Sequence, residues 1–172
     1  MTAVSATSGQ DPTTVDPIMV AISDAIVAGR RGELEQARHR LAELWDEVGA
    51  EGDPLHRCTI GHYLADLFGD DPAEALNWDV RALEAADGLT DERTQRHHET
   101  LSVAGFYPSL HLNVADNFRR IGSFAAAHRH LTAARERLAA LSADNYAHTV
   151  ATGIENVAAA LALGSTDRLP SH

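Results

Sequence analysis

Apolar residues along this chain recur at three- and four-residue steps broken by glycine, and the clearest case runs from Tyr107 to Leu141. Leu110, Val114, Phe118 and Ile121 form one stripe, Gly122 interrupts it, and Phe124, Ala127, Leu131, Ala134, Leu138 and Leu141 resume the spacing. Two amphipathic helices joined at a glycine are the expected product. Upstream, Asp16-Pro17 places a cap before a first-turn proline, and Ile18, Ile22, Ala25, Ile26 and Ala28 supply a stripe that stops at Gly29 and Gly32. A second helix is expected from Glu33 to about Val48 on Leu34, Ala37, Leu41, Leu44 and Trp45, stopped by Gly49 and Gly52. Asp53-Pro54 repeats the start signal for a third, carried by Leu55, Ile60, Tyr63, Leu64, Leu67 and Phe68 as far as Gly69. Asp71-Pro72-Ala73-Glu74 reads as a capping box that opens a fourth helix through Ala86.

Residues 89–105 form an insertion whose Thr90 cap and acidic first turn, Asp91-Glu92, suit a short helix. After the Tyr107–Leu141 pair, Ser142 opens a last helix with Tyr146, Val150, Ile154, Val157 and Leu161 inside and Gly164 as its stop. Residues 1–15 have no apolar period and are expected to form a flexible arm, and residues 165–172 to fray. No segment alternates with period two for long enough to make a strand. The expected fold is all-α, with antiparallel hairpins in a single domain over 16–164, about seven helices and a short inserted one.

The hairpins repeat one another. Gly32 with Ala37 superposes on Gly122 with Ala127, so that Leu34, Ala37, Leu41 and Leu44 fall on Phe124, Ala127, Leu131 and Ala134; Ala75 and Ala82 keep the same seven-residue step between them. This pattern resembles the tetratricopeptide repeat, in the form of a short stand-alone bacterial-type protein. Over residues 108–141, Val114, Ala115, Phe118, Gly122, Phe124, Ala127, Leu131 and Ala134 fall on that family's consensus positions, with His111 where its first aromatic usually stands. The likeness is looser over 54–86 and weakest over 17–48, where Asp24 takes a position the family makes apolar, and the insertion interrupts the spacing. The resemblance implies a right-handed solenoid of stacked hairpins whose concave groove, lined by the first helix of each pair, binds a partner peptide or protein.

Charge narrows the choice of partner. Among 172 residues there are 14 basic and 25 acidic ones, a formal net charge of −11, and every basic residue is arginine. Such a surface disfavours nucleic acid and anionic membranes and favours a partner of basic character. The single cysteine, Cys58, excludes an internal disulfide. With neither a secretory leader nor a membrane-length apolar run in the sequence, a cytoplasmic location is expected. The arginine-only basic set and abundant alanine suggest a GC-rich coding genome.

Two groups of residues carry candidate chemistry. On the third helix Cys58, His62 and Asp66 stand at i, i+4 and i+8, one stripe that in the repeat register faces the groove. A thiolate, an imidazole and a carboxylate there could hold zinc with a fourth ligand from His97, His98 or His111, although the chain has no HExxH or paired CxxC; the other reading is an unliganded groove surface. In the Tyr107–Leu141 pair the matching stripe is Leu112, Asp116 and Arg120, flanked by Asn113, Asn117 and Arg119. Asn offers a donor and an acceptor, and Arg a bidentate fork, to a peptide backbone or terminal carboxylate.

Three readings follow. The first is a non-enzymatic adaptor without a cofactor, binding a protein segment or sister subunit through His62, Asp66, Asn113, Asp116, Arg119 and Arg120. The second is a small-ligand or metal site at Cys58, His62 and Asp66 with a sensory or catalytic consequence. The third is self-association through an open end of the stack, giving a homo-oligomer. Trp45 and Trp78 are expected to pack, and Phe106-Tyr107-Pro108 to staple a helix entry.

Overall fold

The computed structural model describes residues 15–98, 102–142 and 144–170; the arm expected over 1–15 lies outside them except for Val15, as do the last two residues. Eight α-helices and no strand occur among the described residues. They are α1 (Pro17–Arg30), α2 (Leu34–Val48), α3 (Pro54–Leu67), α4 (Pro72–Ala86), α5 (Asp91–His97), α6 (Tyr107–Arg120), α7 (Phe124–Arg137) and α8 (Asn145–Ala162). None of them is long and apolar enough to cross a membrane.

Local chemistry accounts for the starts and stops. Asp16, Asp53, Asp71 and Asp144 each accept a hydrogen bond from a backbone N–H in the first turn that they cap, at 2.9 to 3.2 Å. The last helix therefore begins at Asp144, not at Ser142, because Asp144 is placed to accept from the Ala147 N–H at 3.0 Å. The box at Asp71 is half made: Asp71 caps Ala73 and Glu74, while the Glu74 carboxylate accepts from Asn77. Gly32 and Gly122 close α1 and α6 in the same way. At φ +91° and +80°, each lets the next residue's N–H turn back to a carbonyl five residues earlier, Glu33 to Ala28 and Ser123 to Phe118. An L side chain at either position would meet the left-handed penalty of about 1 kcal/mol.

Contacts run from neighbour to neighbour. α1 packs on α2, α2 on α3, α3 on α4, α4 on α6, α6 on α7 and α7 on α8, with further contacts of α1 with α3 and of α6 with α8. The insertion does not separate α4 from α6. Leu89 joins the core beside α4, while Thr94 is fully buried.

Two apolar clusters result. One joins α1 to α4 and takes in Leu110; the other joins Leu112 and Ala115 to α7 and α8. Helix α6 therefore serves both and is buried on two sides, with Pro108, Leu110, Leu112, Val114, Ala115, Asn117 and Arg119 all inside. The single stripe read from the sequence is corrected here, since Ile121 is exposed and Leu112 is core.

The inserted helix is tied to the start of the chain by charge. Arg93 donates to Asp16 at 2.9 Å and to Asp53 at 2.5 Å, and Asp16 also meets His56 Nε2 at 2.8 Å. Burial works to raise the Asp16 carboxyl, but the bonds from His56, Met19 N–H and Arg93 outweigh it and hold the group below its ordinary 3.8. A carboxylate lowered on folding contributes stability above its unfolded value and loses it as pH falls through the folded one. Asn caps a helix as well as Asp, so Asp16→Asn isolates the charge. The variant is expected to be about 1 to 2 kcal/mol less stable at neutral pH in urea melts. That gap should close as pH falls through the folded Asp16 value, which lies below 3.8.

Candidate functional site

The face carrying α1, α3 and α6 holds two adjoining cavities. The first, about 370 Å³, is mainly apolar and lies among Met19, Ile22, Ile26, Leu55, Phe106 and Leu110, with Tyr146 of α8 at its edge. The second, about 360 Å³, is polar and lies between the end of α3, the inner face of α4, α6 and residues 168–170. Where the two meet, Asn113 Nδ2 stands 3.4 Å from His62 Nδ1. Helix α3 packs closely on α4, since a Cβ on Gly61 would come within 3.1 Å of the Trp78 carbonyl and of Ala82 Cβ.

The residues expected on this face divide into three sets. His62, Asp66 and Asn113 are on it: His62 lines the apolar cavity, Asp66 and Asn113 the polar one. Asp116 and Arg120 line the polar cavity but are engaged, Asp116 by Arg119 at 2.7 Å and Arg120 by the Gly69 carbonyl at 2.7 Å. Arg119 is not on the surface at all. Its guanidinium is fully buried and donates to Asp116, to the Ser165 carbonyl at 2.7 Å and to the Asp167 carbonyl at 2.8 Å. It cannot offer a fork to a partner, because its donors fasten the chain end. Within the stretch expected to fray, Arg119 bonds the carbonyls of Ser165 and Asp167, and Arg168 donates to Asp70 at 2.5 Å.

Cys58 does not join His62 and Asp66 in a metal set. It is 1% exposed within the first apolar cluster, and burial pushes its thiol up to about 12, whereas Asp66 is exposed. No group of three or more His, Cys, Asp or Glu among the described residues is arranged to hold a metal ion. His111 faces His130 across the α6–α7 pair, Nδ1 to Nδ1 at 3.0 Å. Burial, with His130 and Arg137 adding to it, lowers the His111 imidazole to about 4, so the ring is neutral near pH 7. Trp45 and Trp78 pack edge to face at 5.2 Å, with Arg57 over Trp45 and Arg81 over Trp78. Phe106 lines the apolar cavity instead of only stapling the entry to α6, and the Tyr107 hydroxyl donates to Asp87 at 2.7 Å.

Sequence reasoning overlooked Asp79. It is 1% exposed on the inner face of α4 and lines the polar cavity. Its Oδ2 accepts from Asn117 Nδ2 at 2.8 Å, and its Oδ1 has no hydrogen-bond partner. A buried oxygen left in this condition costs about 1 to 3 kcal/mol. Burial pushes the carboxyl well above the usual aspartate range; Asp66 and Asp116 add to the rise, and Asn113 and Asn117 oppose it. The signal was in the sequence: Asp79 stands four residues after Ala75 and three before Ala82, a core register where a lone acid is unexpected.

Replacing Arg119 by Met leaves Asp116 and two carbonyls of the chain end without their donor. The expected loss is about 3 kcal/mol or more in urea melts, with new proteolytic cleavage after residue 162. No family model matches the chain, and neither a curated protein nor a solved structure matches it.

Proposed function

We propose that the chain is a non-enzymatic adaptor of the tetratricopeptide-like kind, a right-handed stack of helix pairs that binds a segment of another protein along the face of α1, α3 and α6. The neighbour-to-neighbour order of helix contacts supports the stacking, since each pair finds its cover in the next one along the chain. One observation carries the binding reading: an apolar cavity and an acidic cavity of similar volume lie side by side, joined at His62 and Asn113. Pockets spaced in this way suit an extended peptide that sets an apolar side chain in one and a basic one in the other. The net charge of −11 favours such a basic segment at long range as well. Among the expected contacts, His62, Asp66 and Asn113 are the residues free to serve; Asp116 and Arg120 shape the rim.

The choice of variants follows from the geometry. Reversing Asp116 would disturb Arg119, so the clean probes are Asp66→Lys at the acidic cavity and Ser23→Trp, which projects bulk into the apolar one from exposed α1. A partner recovered by affinity purification is reduced to its binding segment and titrated against wild type and both variants. Each variant is expected to weaken binding by about tenfold or more while keeping the wild-type far-UV circular dichroism. Equal affinity for all three proteins contradicts the groove as the site. A sister subunit as the partner would instead appear as concentration-dependent mass in light scattering, lost in the same variants.

A further inference from the structure

The polar cavity gathers three carboxyl groups beside two arginines that hold other partners. Asp66 approaches from α3, Asp79 from α4 and Asp116 from α6, and the facing cations are Arg120 and Arg168. Both arginines are turned elsewhere, Arg120 to the Gly69 carbonyl and Arg168 to Asp70, and Asp116 is balanced by Arg119. That leaves Asp66 at the mouth and, behind it, Asp79, whose Oδ1 has no hydrogen-bond partner within 3.5 Å, although the Asn113 amide also bears on the carboxyl. Small or apolar groups, among them Ala65, Gly69, Ala75, Leu169 and Pro170, complete the wall.

We propose that this cavity is the seat of one cationic head, an ammonium or guanidinium on an alkyl stem, whose N–H groups donate to Asp79 Oδ1 and to Asp66 while the stem lies along the small apolar wall. The proposal rests on the groove reading in so far as the stem belongs to a peptide; the same chemistry could arrive on a free diamine or guanidino compound. An anion would meet Asp66 and Asp116. A neutral amide could donate to the buried oxygen but would gain nothing from Asp66. A cation does both, because its donors can turn to the buried oxygen while its charge is attracted by Asp66 and favours ionisation of Asp79.

Entry of a cation should be coupled to a proton. Burial shifts the Asp79 carboxyl toward its protonated form, and an arriving cation shifts it toward the ionised one, so wherever the free carboxyl is protonated binding expels the proton. Affinity therefore rises with pH until the free carboxyl has ionised, then levels off. The groups facing Asp79 across the cavity are Asp66 from α3, Asn113, Asp116, Asn117 and Arg120 from α6, and Arg168 from the chain end, with His62 beside Asn113.

The test is titration calorimetry of the full chain with agmatine, with cadaverine, and with a short apolar peptide bearing one arginine, compared with its citrulline twin. Wild type, Asp79→Asn and Asp66→Asn are each run in buffers of different ionisation enthalpy. Asp79→Asn has nearly the shape of the protonated acid and is expected to fold; should it not, Asp66→Asn, the citrulline comparison and the proton count decide. The expected result is binding of the arginine peptide that falls about tenfold or more on citrulline substitution and in Asp79→Asn, with protons released to the buffer. Binding of agmatine or cadaverine alone, with the same Asp79 dependence, keeps the cation site and assigns it to a free amine instead of a peptide. If arginine and citrulline peptides bind alike, or Asp79→Asn changes nothing, the cation site is overturned while peptide binding in the groove stands. If no probe binds at millimolar concentration, the cation site is overturned as well.

Discussion

Helix α6 lies between two apolar clusters, and a helix enclosed on two sides cannot keep all of its polar residues in water. Seven of its fourteen residues are buried, among them Asn117 and Arg119. Each must find a partner within the protein, since an unpaired buried polar group costs more than a typical hydrogen bond returns. Asn117 finds Asp79 on α4, and Arg119 finds Asp116 and the chain end. These two solutions set where the polar cavity lies and what closes it. The cavity is thus a consequence of how the two halves of the molecule are joined.

The two solutions are unequal. Arg119 has donors matched to a carboxylate and to two carbonyls, so a fully buried cation becomes a fastening for residues 165–170. Asp79 has a hydrogen bond within 3.5 Å on one oxygen only, from Asn117, with the Asn113 amide as the other group that opposes its rise. A structural role alone would be met as well by Asn, whose amide oxygen can accept from Asn117 as the carboxyl does. The unmet oxygen at the back of an acidic cavity is therefore the feature of this molecule that points beyond folding.

The helices were legible in the sequence because caps, glycine stops and three-to-four spacing act within a few residues of themselves. Asp16, Asp53 and Asp71 mark starts that the structure keeps, and Gly32 and Gly122 close matching turns. Where two capping residues compete, as in Ser142 and Asp144, spacing alone did not choose; the bond to the Ala147 N–H does. The site was less legible, for reasons of distance along the chain. Arg119 looks like a surface residue until Ser165 and Asp167 fold back 46 and 48 residues later. Cys58 shares a stripe with His62 and Asp66, yet the packing of α1 over α3 buries the thiol and leaves Asp66 outside. Asp79 could have been found, since an acid between two core alanines on one helical face departs from the pattern around it.

The state of the Asp79 carboxyl bears most directly on whether this cavity awaits a positive charge. Carbon-detected NMR titration of the carboxyl groups, assigned with Asp79→Asn, reads it in the unliganded protein. The account predicts a midpoint for Asp79 well above the ordinary aspartate value of 3.8, shifted downward when a guanidinium compound is added. A midpoint at or below 3.8 would contradict it, because the carboxylate would then already be compensated within the chain and a cation would have nothing to gain by ionising it.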